Sequence, residues 1–404
     1  MRAIEPQDFD LRHLPDAFYD DPYPTYRALR ESSPVLALPG GGYFLTRYED
    51  LSIVYRDARR FSSDKRVQFA PVFGEGSPLY EHHTTSLVFN DPPLHTNVRK
   101  AIGNALSNKM VEAMQSGVES LVERLLDDIA EKCEFDVIAD FASAIPIEII
   151  GNMLRVPHTE RGPLRRWSLA ILGSLEVGLD EDFLRTGNDC VTEFLDYLRD
   201  FVGRRRNDMS DDDDDILSRL LRWKSDGFRL SESELYHQCI FLLNAGHETT
   251  TNLIGNGTEL LMRYPEVLAR LKKQPELIGS AVEEFLRFES SNQLGNRTTT
   301  GDVEIGGVAI PAGTVLTLCI GAANRDPAIF ADPDRLDIKR DPNPHLAFGS
   351  GIHTCAGLNV ARLEGRVAIG RLISRFPGLR LTGSGTRAHR ARFRGFEKLP
   401  MAIA

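Results

Sequence analysis

The chain has 404 residues, 42% apolar and 26% charged, which is the composition of a globular protein and excludes a disordered or fibrous chain. Its 48 basic and 58 acidic residues leave a net charge of −10, so a nucleic-acid-binding surface is not expected and any anionic ligand must be met by local Arg, Lys or His. No apolar run approaches the ~18 residues of a membrane span, and the N-terminal Met1-Arg2-Ala3-Ile4-Glu5-Pro6 has no hydrophobic signal-peptide core. The expectation is a soluble, cytoplasmic protein.

In chain order, residues 34–38 and 43–46 flank Pro39-Gly40-Gly41-Gly42 and predict a hairpin. Asp91-Pro92-Pro93 reads as a helix start with Asp91 as cap. It places His95 and Arg99 four apart on one face. Residues 110–130 and 193–205 carry helical periodicity. The acidic run 211–215 reads as a solvated loop capping a helix that starts at Ile216. Ser231 and Glu234 form a capping-box pattern. They open a helix that runs to about Arg263 and would be about 50 Å long. Midway stands Asn244-Ala245-Gly246-His247-Glu248-Thr249-Thr250. There Gly246 weakens the helix and Thr249 can bond back to a carbonyl one turn earlier, which permits a kink or groove. Glu284-Phe285-Leu286-Arg287 puts opposite charges on one helix face. Residues 302–305 and 308–310, around Gly306-Gly307, predict a second hairpin. No Ser/Gly/Pro linker divides the chain, so one domain over residues 1–404 is expected, mainly α with small β-sheets.

The five cysteines, Cys133, Cys190, Cys239, Cys319 and Cys355, are scattered, odd in number and form no C-x-x-C pair. A disulfide framework and a structural zinc site are therefore disfavoured. Cys355 is set apart by its surroundings, Phe348-Gly349-Ser350-Gly351-Ile352-His353-Thr354-Cys355-Ala356-Gly357-Leu358. A glycine-containing loop runs into an apolar helix with the thiol at the junction. Glycines permit positive φ, and backbone N–H groups at a helix start stabilise a thiolate. Such a thiolate is either a nucleophile or a ligand for a soft or redox-active metal.

Phe348, Gly351, His353, Cys355 and Gly357 spell F-x-x-G-x-H-x-C-x-G. This resembles the cysteine-ligand loop of the cytochrome P-450 family, the haem-thiolate monooxygenases. The resemblance extends from Asp21 to Pro400. It implies that Cys355 is the axial thiolate on the iron of haem b, that Phe348 packs over the sulfur, and that Gly357 lets the porphyrin approach. Residues 244–250 resemble the family's oxygen-binding helix. By that likeness Ala245 and Gly246 make room beside the haem, and Glu248 with Thr249 organises water and supplies protons for O–O cleavage. His95 and Arg99 match the H-x-x-x-R anchors of the haem propionates, and Arg297 and His353 match two further anchors, joined as charge-assisted bonds. Glu284, Arg287 and Arg335 match the family's buried ion-pair set, a structural feature.

The family's activity is then the expectation: insertion of one oxygen atom from O₂ into a small, largely apolar substrate. No G-x-G-x-x-G fingerprint and no iron–sulfur cysteine cluster is present. The soluble bacterial members that the chain resembles take electrons from a ferredoxin fed by an NAD(P)H-dependent ferredoxin reductase. Arg99, Lys100, Lys109, Arg340 and Arg362 are candidate docking cations. Candidate pocket residues are Phe89, Leu243, Leu294 and Phe396 on the apolar side, with Asn244, Ser291, Asn292 and Gln293 to orient one polar group. Two alternatives stand beside this reading. A non-catalytic haem-thiolate sensor has no need of the Glu248–Thr249 pair. A peroxide-driven relative would turn over with hydrogen peroxide alone.

Overall fold

The computed structural model describes residues 3–210, 213, 215–224 and 229–403, with the backbone alone at 104 and 105. Contacts sort the chain into two compact units, each assembled from several stretches. One is drawn from 1–62, 115–145 and 249–404, the other from 63–114 and 146–248. Where the sequence predicts one domain over 1–404, each unit is therefore discontinuous in sequence.

The first unit is organised by a five-stranded sheet in the order Val35–Ala37, Tyr43–Leu45, Val315–Cys319, Leu294–Thr299 and Phe61–Ser62. The first predicted hairpin forms with Val35 opposite Leu45. Its turn closes because Gly41 and Gly42 hold φ of 91° and 80°, a region costly for side-chain-bearing residues. Strand alternation then sorts side chains to two faces. Leu45, Leu316 and Leu318 face a cluster with Leu51, Val54 and Tyr55. Phe44, Leu294 and Cys319 face another with Phe9, Phe18 and Tyr26. The second predicted hairpin is Val303–Ile305 with Val308–Ile310. The helices Ile278–Phe288 and Leu358–Arg375 pack together in the same unit.

The second unit is helical. Glu181–Asp208 packs on Leu164–Gly173 and Pro78–Thr85, and Trp167 stacks on Phe194 with ring centroids 4.6 Å apart. The predicted stretches 110–130 and 193–205 lie inside the longer helices Asn108–Ala130 and Glu181–Asp208.

The long helix is Glu232–Arg263, 32 residues, α-helical throughout, Gly246 included. Its capping box closes reciprocally: Glu234 N–H donates to Ser231 Oγ at 3.2 Å and Ser231 N–H to Glu234 Oε2 at 2.7 Å. Asp215 caps Ile216–Arg222 by accepting from Ser218 N–H at 2.9 Å. Asp211, Asp212 and Asp214 of that acidic run lie outside the described residues.

Asp91 departs from expectation. The helix starts at Leu94 with Pro93 as cap, and the Asp91 carboxylate accepts instead from Ser63 N–H at 2.9 Å. The reason is local: Pro93 has no N–H to offer a carboxylate two residues earlier. No helix among the described residues is long and apolar enough to cross a membrane.

Candidate functional site

The loop before Cys355 is held by backbone bonds. Gly349 N–H donates to Leu346 O at 2.8 Å, and Cys355 N–H to Phe348 O at 2.9 Å. Gly349 and Gly351 have φ of 66° and 70°. A Cβ at Gly351 would also lie 2.2 Å from the Tyr55 carbonyl oxygen, so glycine is required there twice over. Helix Leu358–Arg375 begins directly after Gly357, two residues past the thiol. Cys355, Phe348 and Gly357 are half-buried, and a Cβ at Gly357 would meet no atom within 4 Å. The sulfur thus stands beside a face with room for a flat ring. Cys239 and Cys319 are fully buried, and burial pushes both thiols up to about 12, which leaves them inert.

Arg297 lies on the strand Leu294–Thr299, 7% exposed, with its guanidinium carbon 5.3 Å from the Tyr55 ring centroid. His353 ends the turn Gly351–His353, half-buried. Through Tyr55, the first unit therefore brings Arg297 together with the loop of Phe348, Gly351, His353, Cys355 and Gly357. His95 and Arg99 belong to the other unit, on helix Leu94–Ala105, buried and half-buried respectively.

In the long helix, Leu243, Asn244, His247 and Glu248 are buried, yet Ala245 between them is exposed and Gly246 half-buried. A Cβ at Gly246 would meet only Ile150 Cδ1, at 3.9 Å. Two small residues thus leave a notch midway along the helix. Thr249, on the next turn, is half-buried. His247 turns away, with Nδ1 3.2 Å from Ser168 Oγ. Burial, aided by Arg165, holds its pKa down to about 3, which makes it a neutral structural residue. Within the first unit, a thiol beside an open face and the guanidinium of Arg297 suit an iron porphyrin that carries carboxylates.

The ion pair forms as expected, with one change of partner. Glu284 and Arg287 are both fully buried and bidentate, at 2.7 and 2.8 Å. Arg335, the expected third member, has an exposed side chain and offers only its carbonyl, to Arg287 Nη2 at 3.2 Å. The third cation is Arg340, whose Nε lies 3.3 Å from Glu284 Oε2. The Arg340 side chain is held beside Glu284 by the carbonyls of the preceding turn, Nη1 donating to Ala331 O at 2.7 Å and Nη2 to Arg335 O at 3.3 Å. This corrects a second expectation as well. Arg340 is committed to Glu284, and Arg362 is bidentate to Glu283 at 2.8 and 2.7 Å, so neither is a free docking cation.

Three pocket candidates make contacts of their own within the fold. Leu294 belongs to the cluster with Phe9 and Phe44, because residues 294 and 297 point to opposite faces of their strand. Phe396 has the Arg387 guanidinium carbon 3.7 Å from its ring centroid. Gln293 donates to Ser290 O at 2.7 Å, and its Oε1 lies where a Cβ at Gly321 would sit. Phe89 and Asn244 are buried. Phe89 packs against Phe69 at 5.1 Å and His83 at 5.9 Å, and His83 Nε2 is 2.9 Å from Ser174 Oγ. Tyr55 carries no local sequence signal, and Arg340 is read from the sequence only as a docking cation.

A family model described as Cytochrome P450 matches residues 175–382. The chain is 37% identical over 376 residues to the 6-deoxyerythronolide B hydroxylase of Saccharopolyspora erythraea, covering 91% of each protein. It is 39% identical over 369 residues to the vitamin D(3) 25-hydroxylase of Pseudonocardia autotrophica, covering 90% of this chain and 88% of that one. Among solved structures it is similar to P450BioI in complex with a hexadec-9Z-enoic acid-ligated acyl carrier protein. That match has a TM-score of 0.90 and 34% identity over 96% of this chain and 100% of that one. The chain belongs to the cytochrome P-450 family and is a haem b monooxygenase that uses O₂ to oxidise a small organic substrate.

Proposed function

We propose that this enzyme hydroxylates or epoxidises a compact, largely apolar molecule bearing one carbonyl or hydroxyl group. It does so in the cytoplasm, with electrons from a ferredoxin and its NAD(P)H-dependent reductase. The observation that carries the substrate reading is Asn244. Its side chain is buried, 2% exposed, and neither its Oδ1 nor its Nδ2 has a partner among the described residues. An unpaired buried amide costs about 1–3 kcal/mol, and a polar group on a bound substrate would offset that cost. The amide sits one residue before the Ala245–Gly246 notch. Leu243 and the Phe69–Phe89 pair supply the apolar remainder. The two relatives named hydroxylases of 6-deoxyerythronolide B and of vitamin D(3) support an organic substrate.

In this reading Cys355 ligates the iron, while Phe348, Gly351 and Gly357 shape the loop around it. His95, Arg99, Arg297 and His353 hold the carboxylates. Bound haem supplies the activation of O₂. The chain supplies the rest. Ala245 and Gly246 leave room for the oxygen. Glu248, 6% exposed, holds a proton one residue from the Thr249 hydroxyl, which passes it toward the notch. Asn244 orients the substrate, and the apolar walls exclude water. For the electron donor, with Arg99 given to the carboxylates, Lys100 and Lys109 are exposed. They are the docking cations that remain once Arg340 and Arg362 are assigned to Glu284 and Glu283.

The test is a ligand screen that follows the haem Soret band, then turnover with a surrogate ferredoxin and reductase. Ketones and alcohols on apolar skeletons should shift the band and yield oxygenated product. Asn244→Leu should weaken them roughly tenfold, about the worth of one buried hydrogen bond, and spare matching hydrocarbons. Equal loss for both sets, or no oxygenated product from any binding ligand, would overturn the reading.

A further inference from the structure

We propose that Tyr55 is a positioning residue for the cofactor: one side chain sets the direction of the Arg297 guanidinium and its main chain sets the place of the thiol loop. The proposal rests on the reading of Arg297 as a carboxylate anchor and Cys355 as the iron ligand. Tyr55 is the penultimate residue of helix Tyr48–Arg56 and is 6% exposed. Three of its parts meet three parts of the site. The ring centroid is 5.3 Å from the Arg297 guanidinium carbon. The hydroxyl lies against the strand that carries Arg297, where a Cβ at Gly295 would fall 2.2 Å from Oη. The carbonyl oxygen lies against the thiol loop, where a Cβ at Gly351 would fall 2.2 Å away. Gly295 and Gly351 are thus both shaped to the same tyrosine.

The physical role follows. An arginine side chain has several freely rotating bonds, whose freedom must be lost before it can hold a carboxylate in one geometry. Laying its guanidinium over a buried ring removes part of that freedom in advance. Strand alternation puts Arg297 on the Tyr55 face, and the Tyr55 carbonyl seats Gly351, four residues before Cys355. Anchor and ligand loop are then referenced to one rigid residue. The ring also stays uncharged, because burial pushes the phenol pKa up against the pull of Arg297 and Arg392.

The experiment follows haem transfer from the holoenzyme to excess apomyoglobin, together with the haem midpoint potential, for Tyr55→Leu, Tyr55→Phe, Arg297→Ala and the Tyr55→Leu/Arg297→Ala double variant. Tyr55→Leu should lose haem roughly tenfold faster, the worth of one partly desolvated cation–π contact. Tyr55→Phe, which keeps the ring, should stay within about twofold of the parent on the same grounds. In the Arg297→Ala background, Tyr55→Leu should add nothing to haem loss and should not move the potential further. Full additivity there would mean that Tyr55 merely packs, and would overturn the proposal. Arg297→Ala with unchanged haem retention would overturn the anchor reading itself and the proposal with it. Should Tyr55→Leu fold poorly, Gly295→Ala is the second probe: it should speed haem loss by pushing the hydroxyl aside, and Tyr55→Phe should restore retention in that background. No restoration counts against the proposal.

Discussion

Glu284 has no exposed surface, so every lone pair on its carboxylate must be met inside the protein. Arg287 takes both oxygens, Asp337 N–H donates to Oε1 at 2.9 Å, and Asn343 Nδ2 donates to Oε2 at 3.2 Å. Arg340 completes the set with its side chain 10% exposed, whereas the Arg335 side chain is exposed. The two arginines should therefore behave differently when truncated. Arg340→Ala strips a cation from a buried carboxylate and should cost about 3 kcal/mol. Arg335→Ala removes an exposed side chain and should stay within about 0.5 kcal/mol. Urea unfolding of the two variants decides the matter, and an Arg335→Ala loss equal to that of Arg340→Ala would return the third place to Arg335. The same residue-level reasoning applies to Thr249. Thr249→Ala leaves Glu248 without the adjacent hydroxyl, and the ratio of product to NAD(P)H consumed should fall by about tenfold or more. Turnover driven by hydrogen peroxide should be little changed.

At the level of elements, the helix after the thiol loop and the long helix are tied by an acid. Glu364, 3% exposed, is hydrogen-bonded to the Thr250 side chain, and burial pushes its pKa up to about 8. The folded state therefore keeps this carboxyl protonated where the unfolded chain, near 4.5, ionises it. A folded pKa above the unfolded one for an acid means stability falls as pH rises from about 4.5 to about 8. Glu364→Gln keeps the shape without the charge. It should gain roughly 1–3 kcal/mol over the parent at pH 8, and the gain should shrink toward pH 5. Thermal unfolding across that range measures it, and a pH-independent difference would show that Glu364 is not held neutral.

For the whole molecule, the buried histidines work in the opposite direction. Burial, with repulsion from His83 and His237, drives the His82 pKa well below 6.5, and burial drives those of His237 and His247 to about 4 and about 3. Bases with depressed folded pKa values contribute stability that is complete above pH 6.5 and lost as pH falls through the window below it. Glu283 and Glu289 add a second acid window. Burial alone would raise both, but His345 with Arg362 holds Glu283 down to about 2, and Arg394, Arg387 and Arg325 hold Glu289 at about 2. Their contribution is lost as pH drops from about 4.5 toward 2. Together with Glu364, this sets a stability optimum near pH 6.5. Unfolding free energies from pH 4 to 9 should trace that dome. His237→Gln should flatten the acid flank by about 1.4 kcal/mol per pH unit, and a flank left unchanged would show that His237 titrates normally in the fold.

What could be read from the chain alone was local. The capping box at Ser231, the hairpins closed by Gly41-Gly42 and Gly306-Gly307, and the glycine spacing around Cys355 are each decided within about ten residues. There φ preference, capping and spacing act before any long-range contact forms. The family resemblance rested on the same kind of local signal. Tertiary structure alone decided which arginine reaches Glu284 and that Tyr55 lies between Gly295 and Gly351. Each of these depends on residues far apart in sequence competing for one buried lone pair or one ring face. The competition is settled by packing density and complete pairing of buried polar groups, which no spacing along the chain encodes.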